Sequence, residues 1–156
     1  MRYYTHIAVA AGSALLLHQY ELLPFSNEIG VAAVSGLMLG AVLPDIDETK
    51  SWIGRRSRGL AFWVKLLFGH RGMTHSGIVL ALLIYLVFTL DQPFFAALCF
   101  GAASHILADL FSRGGIPLFY PVEKKRTSIP VYKTGSFLEH LIFLGILFYI
   151  MALLFV

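Results

Sequence analysis

In the stretch SHILADLF, His105 and Asp109 stand four residues apart. On an α-helix that spacing sets both side chains on one face, one turn from each other. The pair suits two metal ligands, or equally a histidine oriented by a carboxylate. Groups of the same chemistry recur along the chain: His6 near its start, Asp45 and Asp47 in LPDID, His70 and His75 in GHRGMTHSG, and Glu139 in SFLEH. Each alone has a plainer use. Pro44 and the aspartates of LPDID suit a turn that ends a helix. Glu139 suits a helix N-terminus, where an acid complements the dipole. His6 by itself suits a membrane interface. What distinguishes the group is where the chain must carry its members.

The composition makes that carrier a membrane protein. Of the 156 residues 58% are hydrophobic and 13% charged, against about 25% charged in soluble domains. The mean hydropathy is +0.76. The single cysteine, Cys99, lies in an apolar run and excludes a disulfide framework. Crossing the hydrocarbon core takes about 20 mostly apolar residues. Five segments approach that length: about 5–23, 28–44, 74–90, 93–112 and 136–156. The start, MRYYTHIAVAAGSALLL, reads as a retained first span, because its small-residue site precedes any apolar run long enough for a signal peptide. The expected fold is all-α: an integral membrane protein forming one compact bundle of about five transmembrane helices over residues 1–156. Between spans two and three, GRRSRGLAFWVKLLFG reads as a short interfacial helix anchored by Trp63 and Lys65. The Pro- and Gly-rich stretch 113–135 reads as an ordered loop.

With five spans, all twelve Lys and Arg fall on the side that holds the N-terminus. The positive-inside rule makes that side cytoplasmic and places the C-terminus outside. The same alternation of direction brings His6, Asp45, Asp47, His70, His75, His105, Asp109 and Glu139 to this one face. Ionisable groups at membrane depth are costly and point to a functional site. Four imidazoles and four carboxylates give mixed nitrogen and oxygen ligation, which suits zinc, manganese or iron. One zinc needs only three or four protein ligands. Eight candidates therefore favour two divalent ions, zinc first and manganese second, over one ion with partner groups.

The motifs LPDID, GHRGMTHS, SHILADLFSRGGIPLFYP and KTGSFLEH, in this order, resemble the YdjM-type family of membrane-bound metal-dependent hydrolases, some of them LexA-regulated. The likeness runs from His6 to Glu139. It implies hydrolase chemistry, with the family's histidine and acid pattern on the eight residues above and Arg71 in its His-Arg position. A metal-activated water would attack, with Glu139 the first choice of general base and Asp47 the second. Arg71 would clamp an anionic group through its bidentate fork. Thr74 and Ser76 suit supporting or capping roles rather than nucleophiles. The ligands lie within one or two turns of the helix ends, roughly 5–10 Å deep at 1.5 Å per residue, which is headgroup level. The expected partner is thus a phospholipid or other lipid-linked phosphoester at the cytoplasmic leaflet. A metal-ion or proton transporter is the rival, disfavoured by the crowding at one end and the lack of a repeat. A b-type haem on His6 and His105 is a third reading, disfavoured by the nearby carboxylates. No motif supports nucleic-acid binding, and the sequence leaves the oligomeric state open.

Overall fold

A computed structural model describes residues 1–25, 30–68 and 72–155. Among them the fold is entirely helical: α1 (Tyr3–His18), α2 (Val31–Gly40), α3 (Trp52–Arg56), α4 (Arg58–Phe68), α5 (Gly77–Thr89), α6 (Pro93–Leu110) and α7 (Phe137–Leu154). Two short 3-10 turns, Leu43–Asp47 and Met73–His75, complete the order.

The central element is α6. Pro93 opens it, where the missing N–H costs nothing. Its buried positions are mostly alanine and glycine, which lets neighbouring helices approach closely. Helices α1, α2 and α5 pack around it, and α7 packs on α1. The outer faces of α5 and α7 expose Leu82, Tyr85, Phe88, Leu144 and Phe148. That apolar exterior is what a lipid environment accepts and water does not.

Helices stand in all five segments that the sequence marks as spans, but most are shorter than expected. By length and composition α6 is the one helix, among the described residues, able to cross a membrane; α2, α5 and Phe137–Leu153 are apolar over shorter lengths. The reason is local. Pro44 disfavours helix before it, so the chain leaves α2 at Gly40 and tightens into the Leu43–Asp47 turn. Similarly α5 begins only at Gly77, after Ser76 has capped it by accepting from the Val79 N–H at 3.2 Å. The residues that would have lengthened the two helices form the turns that carry the acids and His75.

The expected interfacial segment is helical, as α3 and α4. Phe62, Trp63, Leu66 and Leu67 are exposed on α4, and Ala61 is buried. Lys65 differs from expectation: its ammonium lies 3.1 Å from each oxygen of Glu48. It pins α4 to the chain that follows the first 3-10 turn. The loop after α6 is ordered by main-chain pairing of Ile116 with Thr127, at 3.0 and 2.8 Å. Buried Tyr132 closes it onto α6 by donating to the Ala108 carbonyl at 2.7 Å.

Candidate metal centre

Four separate elements deliver histidine and aspartate to one buried point. His6 comes from the first turns of α1, Asp45 from one 3-10 turn, which also carries Asp47, His75 from the other, and His105 and Asp109 from α6. His6, Asp47, His75, His105 and Asp109 are each no more than 1% exposed. Asp45 is the reachable member, its side chain 19% exposed.

Asp109 is the hub. Its Oδ1 lies 3.6 Å from His6 Nε2, and its Oδ2 lies 3.8 Å from His75 Nε2 and 4.0 Å from His105 Nε2. The Met1 ammonium also reaches Oδ1, at 2.9 Å. Asp45 Oδ1 is 3.7 Å from His105 Nε2. The imidazole–carboxylate separations are too long for hydrogen bonds, which fall at about 2.7–3.2 Å. They approach the ~3.4 Å edge of a coordination tetrahedron with ~2.1 Å bonds. The Nε2 atoms of His75 and His105 are fully buried and have no hydrogen-bond partner among the described residues. Orphaned acceptors of this kind are rare unless something binds them. Two sets of ligand atoms lie within 4.8 Å of one another: His6, His105 and Asp109, and Asp45, His75 and His105. The residues present therefore fit a divalent ion.

The outer partners fix which nitrogen faces inward. His105 Nδ1 is 2.7 Å from the Ala41 carbonyl, which only accepts, so Nδ1 carries the proton and Nε2 the lone pair. His75 Nδ1 lies 3.2 Å from Asp47 Oδ2, with the Thr74 hydroxyl bonded to both groups. Histidine metal ligands commonly have this backing by a carboxylate or carbonyl. The His6 and His105 rings stack at 3.5 Å between centroids and 7° between planes.

Two expected members stand apart from the convergence. Both oxygens of Glu139 are engaged by main-chain donors, Arg2 N–H at 2.6 Å and Gly135 N–H at 2.5 Å. Asp47 sits behind His75 rather than beside Asp109. His70 and Arg71 lie outside the described residues. Sequence reasoning missed the Ala41 carbonyl, since a backbone atom leaves no residue-type signal.

A family model described as YdjM inner membrane protein matches residues 1–156. The chain belongs to that family. It is 39% identical over 117 residues to uncharacterized protein YvsG of Bacillus subtilis (strain 168), covering 73% of this chain and 72% of YvsG. It is 36% identical over 117 residues to inner membrane protein YdjM of Escherichia coli (strain K12), covering 70% of this chain and 60% of that protein. No solved structure matches.

Proposed function

We propose that this chain is a membrane-embedded, metal-dependent hydrolase acting at the cytoplasmic leaflet on a phospholipid or other lipid-linked phosphoester. The observation that carries the reading is the pair of orphaned nitrogens, His75 Nε2 and His105 Nε2, aimed at the fully buried Asp109. The Met1 ammonium already lies on Asp109 Oδ1, and the two inward-facing imidazole nitrogens supply lone pairs for a cation on the side of Oδ2. A zinc ion, or manganese in its place, would be held by His105 together with His6 and Asp109, or together with Asp45 and His75. Because His105 offers one free nitrogen, the two ligand sets overlap, and we favour one ion over the two expected from the residue count. When bound, such an ion supplies Lewis acidity and lowers the pKa of water toward neutrality.

The other residues then take distinct parts. Ala41 and Asp47 hold the two rings in their ligating tautomers. Asp45, the reachable acid, accepts a proton from water. Glu139 ties α7 to the start of α1 and thereby positions His6, in place of the general-base role first expected of it. By its residue type Arg71 would pair with the substrate's anionic group through its bidentate fork. The five apolar segments, those of α2 and α5 together with the turns that adjoin them, traverse the bilayer, with the N-terminus and the site cytoplasmic and the C-terminus outside. The basic loops draw anionic headgroups to that face at about 1 kcal/mol per residue.

The test is hydrolysis by purified protein in phosphatidylethanolamine/phosphatidylglycerol vesicles, following released headgroup with zinc or manganese added. Turnover that stops with chelator and returns with the ion is expected. Retained metal without turnover on either lipid would shift the reading to metal-ion binding or transport. Asp47→Ala is expected to weaken zinc binding by about 10–100-fold, the usual effect of losing a ligand's outer partner, measured by competition with a chelating dye.

A further inference from the structure

Under the two 3-10 turns lies an apolar cavity of about 260 Å³. Pro44, Ile46 and Thr74 form one end of it, Val79 and Leu83 of α5 line a wall, and Ala102 of α6 lies beneath. Thr74 is the one polar residue of the lining, and its hydroxyl bonds Asp47 and His75. Asp45 stands between Pro44 and Ile46 and is the unsealed acid of the cluster. Through Thr74 the cavity therefore adjoins the cluster. Along the same helix Ile78 and Leu82 are exposed, so the cavity adjoins the apolar exterior rather than a polar surface. A larger apolar groove, about 650 Å³ between α1, α5 and α6, has no cluster residue in its lining.

We infer that the cavity beneath the turns takes the hydrocarbon chain of a membrane lipid, bringing the lipid's ester to the Thr74 end, beside the cluster. A lining that is apolar apart from Thr74 suits a hydrocarbon chain, and Thr74 marks the end next to the cluster. The inference rests on the hydrolase reading for the fate of the ester, but not for binding of the chain. It makes long-chain lipids the substrate class, and short-chain phosphoesters poor substrates.

The experiment uses the full chain in phosphatidylethanolamine/phosphatidylglycerol vesicles carrying a phospholipid with a diazirine in its acyl chain. After photolysis, labelled residues are mapped by mass spectrometry in wild type, Val79→Phe and Leu83→Phe, with metal content measured in each. Wild type is expected to label within the cavity lining. Each filling variant should lower that label several-fold, while metal content and label on outward-facing Leu82 and Tyr85 hold. Equal cavity label in wild type and both variants would overturn the inference, as would label concentrated on the larger groove at Val9 and Ser13. A parallel assay compares long-chain lipid with a short-chain phosphoester, and the variants should slow only the first. If nothing is hydrolysed by any protein but cavity label falls in the variants, the hydrolase reading fails and the chain site stands.

Discussion

His105→Ala is expected to abolish metal binding, with a loss of affinity beyond the ~100-fold that an outer partner accounts for. His105 belongs to both sets of converging ligand atoms, so neither set among the described residues survives its removal. The change also leaves the buried Ala41 carbonyl without its 2.7 Å donor, which costs about 1–3 kcal/mol of folding stability. Elemental analysis of purified protein reports the first effect, and thermal unfolding with and without added zinc reports the second. Zinc should raise the wild-type melting temperature and leave that of the variant unchanged, since only a ligand that binds the folded state shifts it. His140→Ala is the control. Its ring Nδ1 bonds the Ser136 carbonyl at 2.8 Å, outside the cluster, and metal should be retained. A His105→Ala protein that still carries a full equivalent of metal would sink the proposed centre.

The convergence of His6, Asp45, His75, His105 and Asp109 was legible because helix direction alternates and because His105 and Asp109 share an α6 face. Both arguments need only approximate helix positions. Helix length was less legible. An apolar stretch signals a span whether its last residues continue the helix or fold into a turn, and only the capping by Ser76 and the position of Pro44 separate the two. Individual roles were the least legible. Glu139 looks like a free acid in sequence, yet its oxygens meet the main chain of Arg2 and Gly135. Lys65 looks like a lipid anchor but faces Glu48. In both cases the partner is distant in sequence or is a backbone group, so residue type and spacing say nothing of it.

Gly40→Ala should damage the site from outside it. A Cβ on Gly40 would lie 2.1 Å from the Leu98 carbonyl oxygen of α6, and Gly36 and Gly101 are confined almost as closely, at 2.2 and 2.3 Å from backbone oxygens. Backbone cannot rotate aside as a flexible side chain can, so α2 must move away from α6. Overpacking of this kind costs about 1–3 kcal/mol, and sometimes more. The displacement begins one residue before Ala41, whose carbonyl fixes the His105 ring, and five before Asp45. A shift of about 1 Å takes a 2.7 Å hydrogen bond beyond useful range. Zinc affinity should therefore fall together with the melting temperature, although no ligand has changed. Gly145→Ala separates this effect from a general response to added bulk. Nothing lies within 4 Å of its Cβ position, and Ala in mid-helix is favoured over Gly by about 0.5–1 kcal/mol, so stability should hold or rise with zinc binding intact. Should Gly40→Ala keep wild-type zinc affinity while its melting temperature drops, the tight α2–α6 contact would serve the bundle alone, and the His105 tautomer would not depend on it.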